Sequence, residues 1–211
     1  MMRFGIAKAL LLSAVLAATA LTPAAAGAQD GEIPEAAETT EKIEELTSMI
    51  ERNPGDVELL IDLGNTYYES NMMDQALATY EEAAKLDSTH VGVKLNLGSL
   101  LADMGRFERS IHELKTALSI DPDNVLVAAT LGSAYYGQGR YREAVDMYRS
   151  ALEIDPRNTE AHFNLGVAFA DVQMFDEAIR EWEKVIEYDP DSRAAAVSRE
   201  NIDMIREFRG H

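Results

Sequence analysis

Between residues 57 and 192 the apolar positions fall three to four residues apart, and the whole pattern returns every 34 residues without an insertion or deletion. In the first unit this spacing predicts two amphipathic helices, over 57–70 and 74–87, and repetition predicts a helix pair in each later unit. The beat is carried by Leu63-Gly64, Leu97-Gly98, Leu131-Gly132 and Leu165-Gly166. Four residues before each glycine stand Leu60, Lys94, Ala128 and His162; three after it come Tyr67, Leu101, Tyr135 and Phe169. Ala76, Ser110, Ala144 and Ala178 follow, then Tyr80, Leu114, Tyr148 and Trp182, then Ala83, Ala117, Ala151 and Val185. Ser88, Pro122, Pro156 and Pro190 close the units. One unit of this kind cannot bury its own apolar face, so neighbours must stack into a continuous core. The glycines let paired helices approach closely, at a helix-propensity cost of about 1 kcal/mol each. Asp-Pro pairs at 121–122, 155–156 and 189–190 are stop signals between units. Asp56, Asp74 and Asp176 stand where a short acceptor can cap the next helix.

These residues resemble the tetratricopeptide repeat (TPR), whose pattern is W-x2-L-G-x2-Y, then A-x3-F, then P. The family's Trp is absent throughout, and Ser88 replaces the first Pro. The resemblance implies an all-α fold, a right-handed α-solenoid of stacked antiparallel helix pairs (a TPR superhelix). It places TPR 1 at 57–90, TPR 2 at 91–124, TPR 3 at 125–158 and TPR 4 at 159–192. Both ends of such a stack must be closed against water. The segment 40–56 reads as an N-terminal capping helix left from a degenerate half-repeat, with Ile43, Leu46, Met49 and Ile50 on one side; an ordinary unrelated helix would pack alike. The segment 193–211 reads as a C-terminal capping helix and tail, with Val197, Ile202, Ile205 and Phe208 toward the last repeat.

Residues 1–28 form a different kind of segment. Arg3 and Lys8 precede an apolar run at 9–21, and small residues at 24–28 offer cleavage after Ala26 or Ala28. That is the layout of a secretory signal peptide, and the run falls short of the roughly 20 residues a membrane span needs. A periplasmic or secreted protein is expected, of bacterial type; an inner-membrane anchor through an uncleaved leader is the alternative. Residues 29–39 read as a disordered acidic linker. Without Cys the chain has neither disulfides nor a lipoprotein attachment residue. Removal of the leader takes away Arg3 and Lys8 and moves the formal charge from −18 to −20. Such a surface repels nucleic acid and anionic headgroups and favours basic or neutral partners.

The chain shows no converging catalytic groups. His90, His112, His162 and His211 lie apart, without metal-ligand spacing. His162 stands at a core position and reads as a satisfied, partly buried side chain. The Asp-Pro-Asp-Asn run at 121–124 lacks a calcium loop, and Gly137-Gln138-Gly139 ends a helix rather than cradling phosphate. No enzyme activity, cofactor or metal is expected.

By the resemblance, the first helix of each pair lines a concave groove that holds a protein segment. Helical geometry puts Glu58, Ile61, Asn65, Tyr68 and Glu69 on that stripe in the first unit, and Leu95, Asn96, Ser99 and Asp103 in the second. Leu126, Ala129, Ser133 and Tyr136 follow in the third, and Glu160, Phe163, Asn164, Val167 and Asp171 in the fourth. Packing between repeats is the alternative for Tyr68 and Tyr136. Asn65 and Asn96 match the asparagines with which TPR chaperone adaptors hold a peptide backbone. Where those adaptors clamp a terminal carboxylate with Lys and Arg, this chain has Ile61, Leu126 and Thr130, so an acidic heat-shock-type tail is not expected to bind. The expected function is a non-catalytic adaptor for an extended apolar or basic segment, aiding assembly of a cell-envelope complex. A self-assembling scaffold is the alternative, and a small-molecule-binding protein or enzyme a distant one.

Overall fold

A computed structural model describes residues 35–210, and the signal peptide and most of the linker read from the sequence lie outside them. The described residues form helices α1 (Glu35–Arg52), α2 (Val57–Glu69), α3 (Met73–Leu86), α4 (Val91–Asp103), α5 (Phe107–Ile120), α6 (Val125–Gly137), α7 (Tyr141–Ile154), α8 (Thr159–Asp171), α9 (Phe175–Tyr188) and α10 (Arg193–Arg209). They fall into two compact bodies, one ending at Gln138 and one beginning at Gly139.

In the first body α2 pairs with α3 and α4 with α5, while α2 touches α4 and α4 touches α6, so first helices form one layer and second helices another. Its core joins Ala76, Leu77 and Tyr80 of α3 to Leu97, Leu100 and Leu101 of α4. In the second body α8 packs against α7, α9 and α10. Three repeat glycines are seats for the large residue sixteen positions on. A Cβ at Gly64 would stand 2.3 Å from Tyr80, at Gly98 2.5 Å from Leu114, and at Gly166 2.5 Å from Trp182.

Helix starts alternate in kind. Every first helix and the closing helix begin on a side-chain acceptor, Asp56, His90, Asn124, Asn158 and Ser192, which takes a backbone N–H of the opening turn. The second helices begin at Met72, Arg106, Arg140 and Met174 with no side-chain cap. Asp56 therefore caps as expected, but Asp74 and Asp176 do not: each lies inside the first turn, where its charge faces the positive end of the helix. The turn within each pair passes through a left-handed residue, Asn71, Gly105, Gly139 or Gln173, and this φ > 0 position redirects the chain before the second helix starts. His90 is the odd cap. His90→Asn, which copies Asn124 and Asn158, should leave the urea midpoint unchanged or slightly raised, whereas His90→Ala should lose about 1 kcal/mol.

The linker expectation is corrected over 35–39. Helix α1 starts at Glu35, because after Pro34 an Ala- and Glu-rich stretch has strong helix propensity and places acids at the favourable end. In α10 the buried side chains are Ala195, Ser198, Asn201, Ile202 and Ile205, while Phe208 is exposed and meets Phe175 edge-on. Among the described residues the Ser198 hydroxyl is buried without a hydrogen-bond partner. Ser198→Ala removes that debt and should raise stability by up to about 1 kcal/mol in chemical denaturation.

Two polar side chains, Lys94 and His162, occupy the position where the repeat pattern expects a large apolar one. Lys94 is buried and its Nζ donates to Glu113 at 3.1 Å. His162 is buried with Nδ1 2.7 Å from Glu181 and Nε2 3.1 Å from the Pro156 carbonyl. Lys94 is satisfied within its own helix pair, and His162 by Glu181 of its pair and by the carbonyl of the preceding inter-repeat turn.

Candidate functional site

The first body gathers polar groups at one place on its layer of first helices. Asn65 lies on α2 and Asn96 one repeat later on α4, and the contact of α2 with α4 brings the two amides together. Asn96 Nδ2 donates to Asn65 Oδ1 at 3.0 Å. From behind, the Tyr80 hydroxyl of α3 donates to the same oxygen at 2.5 Å. Tyr68, Ser99 and Leu100 complete a recess of about 140 Å³.

At its rim the Tyr68 hydroxyl donates to Asp103. Burial, and then the bond to Asp103 with its charge, push the Tyr68 phenol far above its ordinary range. Burial, then the neighbouring Tyr68 and Glu69, do the same to Tyr80. Both hydroxyls therefore remain protonated donors throughout the physiological range.

Other residues of the expected stripe are placed as follows. Glu58 and Glu69 are exposed, and Glu58 lies 3.1 Å from His90 Nε2. Leu95 is half-buried, and Ser133 and Tyr136 on α6 likewise. Leu126 is 52% exposed. In the second body Glu160 is exposed, and Asn164 and Asp171 are half-buried.

Four positions correct the stripe: Ile61, Ala129, Phe163 and Val167 are buried. Ile61 packs with Leu60, Ala83 and Val93, because adjacent first helices touch and close the side facing the next repeat. Phe163 and Val167 belong to α8, which is packed against three helices, and the Phe163 carbonyl accepts the Trp182 indole N–H at 3.1 Å. At the positions of a carboxylate clamp, Leu126 offers an apolar side chain and Thr130 turns its hydroxyl onto the Leu126 carbonyl.

Tyr80 was missing from the expected site, since its repeat position reads as pure core. The one signal was its hydroxyl, which Leu114 at the equivalent position lacks. A larger cleft in the second body, about 510 Å³, is lined by Arg149, Phe169, Lys184 and Tyr188 among others. Of the carboxylates in its lining, Glu177 pairs with Arg180 and Glu181 with Lys184 and His162.

Stacked helix pairs whose first helices present a polar, part-open face define an α-solenoid of the protein-interaction class. Tetratricopeptide-repeat models match residues 57–90 and 159–192, and a TPR-repeat model matches 98–139 and 132–173. The chain belongs to the tetratricopeptide-repeat family, and its fold is the all-α solenoid of that family. Among solved structures it is similar to MamA, at 22% identity over 76% of this chain and 97% of the other, with a TM-score of 0.64. A MamA fragment from Desulfovibrio magneticus RS-1 shares 17% identity over 89% of this chain and 97% of its own, with a TM-score of 0.67. YrrB, described as a TPR protein with an unusual peptide-binding site, shares 26% identity over 77% of this chain and 87% of its own, with a TM-score of 0.59. No curated protein matches the chain.

Proposed function

We propose that this protein is a non-catalytic adaptor that holds an extended apolar or basic protein segment against the first helices, with Asn65 and Asn96 as the anchor. The observation that carries the reading is the amide pair in its recess, with a donor and an acceptor left over for a peptide backbone. Asp103, Glu69 and an overall charge of −18 favour basic over acidic segments. The peptide-binding site named for YrrB, a similar array, supports the same use of the fold. The leader read at 1–28 supports work in the periplasm or outside the cell, in assembling or organising an envelope complex.

The test is in-cell crosslinking from a photoreactive residue at Ser99, with exposed His112 on α5 as the control. Partner adducts from Ser99 and not from His112 are expected; the opposite pattern sinks the groove reading. Phe163 is unsuited to such a probe because it is buried.

A self-assembling scaffold is the second reading, favoured by exposed Val172, Met174 and Phe208 around the Phe175–Phe208 contact. Light scattering on size-exclusion fractions across a concentration series decides it, since a monomer at every concentration excludes the scaffold.

A further inference from the structure

In the first body α3 and α5 pack on α4 and not on each other, and a salt bridge straps them together. Arg109 of α5 reaches Glu81 of α3 at 2.7 Å. Repetition puts Arg149 where Glu81 stands and Glu177 where Arg109 stands, so α7 and α9 of the second body carry the same two charges exchanged. Among the described residues the reversed bridge is not made. Glu177 turns instead to Arg180 of its own helix at 3.1 Å, and the Arg149 guanidinium lies 5.7 Å from the centre of the Phe169 ring. Because α7 and α9 pack on α8 and not on each other, the cleft of about 510 Å³ between them stays open.

The floor of this cleft is apolar, built from buried Leu165 and Phe169 and half-buried Leu152. Toward its other end Tyr188 stands with the His162 ring 5.6 Å away and the Arg157 guanidinium 5.1 Å away. Arg149 and Arg157 are both exposed, and among the described residues neither pairs with a carboxylate. Stacking on a ring fixes the plane of each guanidinium and leaves its N–H edge free for a carboxylate. The two lie about two helical turns apart along α7 and the turn that follows it. The geometry points to a second docking site, for a helical segment of a partner protein that carries two carboxylates two turns apart with leucine-like residues between them. Glu153, exposed on the rim between the two arginines, repels an acid placed midway, so the carboxylates belong at the ends. This preference is opposite to that of the first-helix site, and neither site depends on the other.

The experiment uses the full chain and a fluorescent Ala-Gln-Glu-Ala-Gln-Leu-Leu-Gln-Ala-Glu-Gln-Ala peptide, whose acids and leucines share one helix face. A second peptide carries Lys in place of each Glu, and fluorescence anisotropy at low salt measures both. The Glu peptide should bind at least about tenfold more tightly than the Lys peptide. Arg149→Ala and Arg157→Ala should each weaken it by about threefold to tenfold, and Glu153→Gln should strengthen it. Both arginines are exposed, so these variants should keep the wild-type helical circular dichroism. Equal or tighter binding of the Lys peptide, no binding of either, or arginine variants that bind like the wild type overturns the proposal. Displacement of the Glu peptide by millimolar free glutamate also overturns it, since the cleft would then take small anions. Self-association that Arg149→Ala abolishes would give the cleft to a second copy of this chain instead. None of these results touches the crosslinking test at Ser99, so this site and the adaptor reading fail separately.

Discussion

Trp182→Ala is expected to destabilise the second body by about 3–5 kcal/mol, the cost of emptying a large aromatic site. The side chain is 1% exposed, and its indole N–H is tied to the Phe163 carbonyl at 3.1 Å. That bond also keeps the ring from swinging aside, and a Cβ at Gly166 would stand 2.5 Å from Nε1. Gly166→Ala is therefore expected to be net destabilising by about 1 kcal/mol, even though alanine gains about 1 kcal/mol in helix propensity. Made together, the two substitutions should cost less than their sum, because the space left by the indole receives the methyl group. Urea unfolding followed by helical circular dichroism gives all four corners of this cycle. Additivity within about 0.5 kcal/mol would mean that the glycine does not serve the indole.

Glu181→Gln should be the next most costly change, about 2–3 kcal/mol at neutral pH, because it breaks the carboxylate's pairing with buried His162. Burial alone would raise the Glu181 carboxyl, but the hydrogen bonds from His162 and Lys184 outweigh it and hold the group below the usual carboxylate range. A folded-state value below the unfolded one gives a contribution that is complete above roughly pH 4.5 and is lost as pH falls through the folded value. The wild type should therefore lose stability faster than Glu181→Gln on acidification, and the two unfolding midpoints should converge. Trp182, the chain's single Trp, reports on this body by fluorescence. Midpoints that stay equally far apart at every pH would show that the carboxylate charge contributes nothing.

The helix pairs were legible because packing requires a fixed period, and Val57–Glu69 and Met73–Leu86 fall within a residue or so of the spans read from spacing. Glycine roles were legible for the same reason: a bulky residue sixteen positions on needs a seat. The capping roles were half legible. An acid near a helix start looks the same at the cap and one residue inside the first turn, so Asp56 and Asp74 could not be told apart by type. Asn71 and Gln173 take the left-handed turn without being glycine, and only their registry with Gly105 and Gly139 would have exposed them.

Burial of Ile61, Ala129, Phe163 and Val167 depends on how closely neighbouring helices sit, which one helix's periodicity does not contain. The partners of Lys94 and His162 were hidden likewise, although Glu113 and Glu181 stand at the same separation in both repeats. At the candidate site the two asparagines were visible by position. Their mutual hydrogen bond and the hydroxyl behind them belong to tertiary packing alone.

The alternation of helix starts has a consequence for how the array breathes. Opening amides of the first helices are bonded to Asp56, His90, Asn124 and Asn158, so the joints between repeats are pinned by side chains. Those after Met72, Arg106, Arg140 and Met174 have no such partner. Local opening should begin there, within each pair rather than between pairs, and amide exchange should run fastest at the starts of α3, α5, α7 and α9. The array then frays from inside its repeats, while the seams that keep them in register hold longest.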